Sequence, residues 1–262
     1  MKTSEIIKKI EQYFPLNSAM SFDNSGANVV DSYAEVTGIV VCLDVTLQVI
    51  EYAKSKNVNL IISHHPLIFN EIQNLNDTPI ARRIKLLNKY EISAYSVHTN
   101  FDVNLSYGMG KSLLNVLFDN SVIKEHSLLE KYLIDDTQYG IGDITTFNKK
   151  FTFDEILTII ISKLGLSIDK VSCYNLNMDI NKLIIIPGSG SSDVDLVINE
   201  KPDLLITSDL KHNQIVDLIE AGISYINATH YGLEKIFVKS FEKFLIEKLQ
   251  YNNVLTVYNQ YL

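Results

Sequence analysis

The sequence predicts an α/β protein with largely parallel strand pairing. Short apolar runs of strand length alternate with stretches whose apolar residues recur at helical spacing. Strand–helix–strand order of this kind gives parallel pairs joined by right-handed crossovers. Polar residues able to do chemistry also gather at the carboxyl ends of the runs, where open α/β sheets hold their ligands. The chain has 262 residues, of which 46% are hydrophobic, enough for one large or two modest domains with a substantial core.

Residues 1–14 place Ile6, Ile7, Ile10 and Phe14 at helical spacing, with Ser4 as an N-cap, and read as an amphipathic helix rather than a signal peptide. Pro15 ends it, and residues 21–28 form a turn-rich loop. Residues 37–44 read as a buried strand ending in Asp44, and Thr46 opens a helix through Ala53. Residues 57–62 are the next strand and deliver Ser63-His64-His65-Pro66. Neighbouring side chains on a strand face opposite ways, but Pro66 marks the strand end, where the backbone can turn both rings toward one cavity. A helix over 79–90 and a strand over 92–97 follow, the latter running into His98-Thr99-Asn100-Phe101-Asp102. Residues 108–118 read as a helix start and helix. Gly110-Lys111-Ser112 lacks the earlier glycine of a phosphate-binding loop, since position 105 is Leu.

Polar and charged residues interrupt the pattern at 119–135, and the domain boundary is expected there. Residues 1–125, completed by 231–262, form a first domain, and 126–230 a second. In the second half the pattern gives a turn and strand over 139–147, a helix over 153–164 and strands at 171–174 and 182–186. Gly188-Ser189-Gly190-Ser191-Ser192 is either a tight strand-to-helix turn or an anion contact. Strands at 203–207 and 224–227 end in Asp209 and in His230-Tyr231-Gly232-Leu233-Glu234, with a helix over 216–221 between them. A long helix to Leu249 and a strand at 254–258 close the chain.

His230 and Glu234, four apart at a helix start, share one face. With His64, His65 and Asp102 they make three imidazoles and two carboxylates, a donor set suited to zinc, iron, manganese or nickel rather than calcium. Five ligands exceed one tetrahedral ion with an open position and suit two bridged ions. His98, Asp44 and Asp209 are expected to orient ligands or move protons, though His98 could instead hydrogen-bond the strand-end backbone. His126 reads as solvated and His212 as a helix start. Cys42 and Cys173 have no ligand spacing and read as core residues in a reducing compartment. Net charge is −8 with no basic stripe, which argues against nucleic acid as the main partner. No apolar run reaches membrane-spanning length, and the protein is expected in the cytoplasm.

At these residues the chain resembles the Nif-three-like dinuclear metal-binding proteins, often labelled GTP cyclohydrolase 1 type 2 homologues. The resemblance covers most of the chain. It rests on Phe22-Asp23-Asn24-Ser25-Gly26, Leu43–Thr46, Ile61–Phe69, Ser96–Asp102, Gly140–Gly142, Gly188–Ser192, Ile206–Asp209 and His230–Lys235. It implies that His64, His65, Asp102, His230 and Glu234 bind two divalent ions. It also implies two interlocked three-layer α/β/α domains with largely parallel or mixed sheets, and a homohexameric ring. The chain departs from the family pattern with Phe22 for Trp, Ser208 for Gly and Thr229 for Gly.

The resemblance implies a metal-dependent hydrolase like GTP cyclohydrolase 1 type 2, acting on a nucleotide or phosphorylated small molecule, with Glu234 and His98 expected as catalytic groups. The residues allow attack by an activated water but do not select a purine. The alternatives are a metal-binding or metal-delivery protein without turnover, and a scaffold for a protein partner.

Overall fold

The computed structural model describes residues 1–258. From the amino end the chain forms α1 (Thr3–Glu11), β1 (Gly26–Val29), β2 (Ile39–Cys42), α2 (Leu47–Ser55), β3 (Leu60–Ser63), α3 (Pro79–Tyr90), β4 (Ser93–Ser96) and α4 (Thr99–Asp102). Next come α5 (Met109–Leu117), β5 (Ile123–Ile134), β6 (Thr137–Phe151), α6 (Phe153–Leu164), β7 (Ser172–Tyr174), β8 (Ile180–Ser189) and α7 (Val194–Glu200). The last elements are β9 (Leu204–Ser208), α8 (His212–Glu220), β10 (Ser224–Ala228), α9 (His230–Glu234), α10 (Ile236–Glu247) and β11 (Val254–Val257). Four helices, α2, α3, α6 and α9, start where a threonine side chain caps them. Thr46 accepts from Val49 N and Thr78 from Ala81 N, while Thr152 and Glu155 form a reciprocal capping box. At α1 the cap is Lys2 rather than Ser4, and the Glu5 carboxylate accepts from Lys2 N.

The chain divides into two compact units: residues 1–101 with the described residues from 237 onward, and residues 102–236. The first unit holds a mixed sheet in the order β1-β4-β3-β2-β11, parallel except for β1 against β4. Both faces are covered. Val40, Cys42, Ile61 and Ala94 pack with Val49, Ile50 and Ala53 of α2 and Ile84 and Leu87 of α3. On the other face the Tyr95 hydroxyl donates to Glu11 of α1, 2.9 Å away. Phe14, Phe101, Phe237, Phe241 and Phe244 form an aromatic cluster in this unit, with centroids 4.9–6.1 Å apart in the contacting pairs.

The second unit holds a mixed sheet in the order β5-β6-β8-β9-β10-β7, with β8, β9 and β10 parallel. Leu183, Ile185, Leu204, Ile206 and Ile226 pack on α5 and α6. Ile184, Leu205 and Tyr225 pack on α7 and α8. The sequence places a boundary near residue 125, whereas the first unit gives way to the second between Phe101 and Asp102. The reason is α5, whose Leu113, Leu114 and Leu117 are buried in the second unit's core.

Residues 123–134, expected as a polar linker, form one arm of a long antiparallel hairpin. Its turn is Asp135-Asp136, both with positive φ (46° and 62°), which suits the tight two-residue turn of a twisted hairpin. The arm lies at the sheet edge and buries only Leu128 fully, so its sequence lacks the alternation of a half-buried strand. His126 is accordingly not solvated. Its Nε2 pairs with Asp143 Oδ1 at 2.5 Å, where burial pushes the Asp143 carboxyl up and the His126 bond partly offsets it. Cys173, expected in the core, is exposed on edge strand β7, while Cys42 is buried. The last helix is two: α9 and α10, with Lys235 as the C-cap of α9.

Replacing Phe101, which is 1% exposed between Phe14 and Phe237, by Ala should cost about 3–5 kcal/mol in urea unfolding. Tyr33→Ala, at a residue 82% exposed, should change stability by no more than about 0.5 kcal/mol. Equal effects of the two would contradict the aromatic core.

Candidate metal centre

In the first unit, β2, β3 and β4 are parallel neighbours, so their carboxyl ends open side by side. The ladder continues one step past each end: His64 N donates to Cys42 O, His65 N to Leu43 O and Val97 N to Ser63 O. Beyond that point the Ser63 hydroxyl donates to His65 O at 2.8 Å, closing the turn ahead of Pro66. The two adjacent rings converge as the sequence predicts. His98, from the end of β4, joins them. The ring centroids are 5.1 Å apart for His64–His65, 5.0 Å for His64–His98 and 5.6 Å for His65–His98. One nitrogen from each lies within 4.8 Å of the others, close enough to hold an ion.

Each ring is held by its Nδ1. The His64 nitrogen lies 3.0 Å from Val97 O, and a carbonyl only accepts, so Nδ1 carries the proton. His65 Nδ1 is 2.8 Å from Asp44 Oδ1, and His98 Nδ1 is 2.8 Å from Asp23 Oδ1. The nitrogen a metal would take is then Nε2 in all three. Carboxylate or carbonyl partners of this kind fix ring orientation and raise ligand basicity. His64 is fully buried, with the Phe237 ring 4.9 Å from it.

Asp23 had no role assigned from the sequence. Its carboxylate, fully buried, accepts from His98, from the Ser25 and Thr99 hydroxyls and from the Thr99 and Asn24 amides. Burial alone would raise this carboxyl. The hydrogen bond and charge of His98, with the Ser25 and Thr99 hydroxyls, outweigh it and hold the group far below the ordinary carboxylate range. The local signal was present in Asp23-Asn24-Ser25-Gly26, a turn sequence, but nothing local links it to His98.

In the second unit the same arrangement recurs on β9 and β10, also parallel neighbours. Asp209 follows β9 with a positive φ of 58°, and its Oδ2 lies 2.6 Å from His230 Nδ1. Thr229 follows β10 and caps α9 by accepting from Gly232 N at 3.0 Å. One turn on, Glu234 Oε2 lies 2.8 Å from His230 Nε2, and the Glu234 side chain is 4% exposed. Thr229 therefore starts the helix that carries His230 and Glu234 on one face. Asp102, half-buried, ends α4 and is the first residue of the second unit. His212 begins α8, as expected.

This pattern of anchored histidines on two sets of parallel strand ends accompanies a clear relationship. The chain belongs to the DUF34/NIF3 (NGG1p interacting factor 3) family, which matches residues 1–260. It is 33% identical over 246 residues to a Clostridium perfringens protein named GTP cyclohydrolase 1 type 2 homolog, covering 93% of this chain and 91% of that one. It is 33% identical over 234 residues to a Helicobacter pylori protein named GTP cyclohydrolase 1 type 2, covering 89% and 87%. A crystal structure of a Staphylococcus aureus hypothetical protein superposes with a TM-score of 0.87 at 26% identity, covering 99% of this chain and 96% of that one. As a DUF34/NIF3 member the chain has a mixed α/β fold with two mixed sheets, and it carries histidine and carboxylate groupings that could hold a metal ion. Among the described residues, no helix is long and apolar enough to cross a membrane.

Because the Asp23 carboxyl is depressed, its contribution to stability is present above the ordinary carboxylate pKa and is lost as pH falls below about 4. Asp23→Asn should lower the unfolding midpoint at pH 7 and flatten its decline below pH 4. An unchanged acid slope in thermal scans would contradict this.

Proposed function

We propose that this protein holds two divalent ions through His64, His65, Asp102, His230 and Glu234, and uses them for hydrolysis of a nucleotide or phosphoester. The observation that carries this reading is the anchoring of the ligand imidazoles by Nδ1: His64 on Val97 O, His65 on Asp44, His230 on Asp209. Imidazoles so oriented, with carboxylates beside them, fit zinc, iron, manganese or nickel. When bound, such ions supply Lewis acidity and activate water near neutral pH. The chain's own residues do the rest. His98, tied to Asp23, takes a proton from the attacking water through Nε2. Glu234, beside the His230 ring edge, places a buried carboxyl group at the site. The name of the Helicobacter pylori relative, GTP cyclohydrolase 1 type 2, supports GTP as the substrate.

A second reading, metal storage or delivery without turnover, is favoured by the exposure of two proposed ligands, His65 at 25% and His230 at 37% of the side chain. We place the protein in the cytoplasm, where two cysteines without a disulfide fit a reducing environment, and assign it a homohexameric ring on family grounds.

Metal analysis of purified protein should find two ions per chain, with His65→Ala losing at least one. Glu234→Gln should lower GTP turnover by at least about 100-fold while keeping the assembly size seen by light scattering. Full metal content with no turnover on a nucleotide and phosphoester panel would favour delivery. No loss of metal in His65→Ala would remove the basis of both readings.

A further inference from the structure

We infer that Gly188 and Ser208 form a seat for the Glu234 carboxylate, and so position one ligand of the proposed metal site. This rests on the assignment of Glu234 as a ligand. Gly188, near the end of β8, is buried with φ +68°. It has no side chain where one would stand. A methyl group there would overlap Glu234 Oε1 and lie 3.6 Å from His230 Cε1. The carboxylate therefore rests directly on the Gly188 backbone, in a place that only glycine leaves open.

The backbone beneath it is itself fastened. β8 and β9 run in parallel, with Ser189 opposite Ser208. The Ser208 hydroxyl, fully buried, donates to Gly188 O at 2.6 Å. The next residue, Asp209, takes His230 Nδ1 at 2.6 Å. Two consecutive residues at the end of β9 thus set both members of the pair. Ser208 acts through Gly188 on Glu234, and Asp209 acts directly on His230. The seat below and the His230 Nε2 contact at 2.8 Å hold Glu234 Oε1 and Oε2 respectively.

The test is Co(II) binding by the full-length protein, read by its visible absorption and by competition with a chelator. Gly188→Ala and Ser208→Ala should each weaken Co(II) binding by about 10–100-fold and alter the Co(II) spectrum. Gly222→Ala is the control. Gly222 has a similar φ of +74° with nothing within 4 Å, so it carries the same backbone strain without touching the site. It should bind Co(II) as the unaltered protein does. In a Glu234→Gln background the further loss from Gly188→Ala should largely vanish, because both changes act on one carboxylate. Gly188→Ala binding as tightly as Gly222→Ala, or keeping its full penalty in the Glu234→Gln background, would overturn the inference. Should Gly188→Ala not fold, Ser208→Ala decides: unaltered affinity and spectrum overturn the fastening. If the unaltered protein takes up no Co(II), the metal reading itself fails and this inference with it.

Discussion

The structure depends on how each imidazole is held by the nitrogen that faces away from the proposed ions. A histidine ring at a strand end can rotate and can carry its proton on either nitrogen. At His64 the Val97 carbonyl removes both freedoms, because it sits at the end of the adjacent parallel strand and can only accept. At His65 and His98 a carboxylate does the same work, while His230 has a carboxylate at each nitrogen, Asp209 at Nδ1 and Glu234 at Nε2. The partners of His64, His65 and His230 lie at parallel strand ends, which parallel pairing brings to one edge of each sheet, while Asp23 reaches His98 from the turn ahead of β1. The fold and the site are therefore one constraint: β2, β3 and β4 in one unit, and β9 and β10 in the other, each deliver a histidine and the group that orients it.

Burial sharpens this. His64 and Glu234 are nearly or fully enclosed, whereas His65 and His230 remain partly open. An enclosed side chain keeps its geometry, and a partly open one can be reached from solvent. Asp23 shows how far the chain goes to keep a charge in place. Its buried carboxylate survives ionised because several donors converge on it, His98 among them. Two residues near His230 and Glu234 also serve positioning. Thr229 caps the short helix bearing His230 and Glu234, and Ser208 fastens the backbone on which Glu234 rests.

Much of this was legible in the sequence, for physical reasons. The buried parallel strands read clearly because continuous apolar runs ending in polar residues have few other uses. The convergence of His64 and His65 followed from Pro66 ending the strand. The edge hairpin was hidden because β5 buries little, and a strand facing water on most of its length need not alternate. His126 was misread for the same reason: its partner Asp143 lies on the other arm of an unrecognised hairpin. The role of Asp23 could not be read because it depends on a contact between a turn and a distant strand end. The Gly188–Ser208 fastening was hidden likewise, since only the register of β8 with β9 brings the two together.

The most direct measurement is nitrogen-15 NMR of the imidazoles in metal-free protein at pH 8. Anchoring by Nδ1 predicts that His64 and His65 carry their proton on Nδ1 and present a bare Nε2. Rings protonated on Nε2 with Nδ1 bare would contradict it, because the lone pairs would then point into the scaffold and away from any ion.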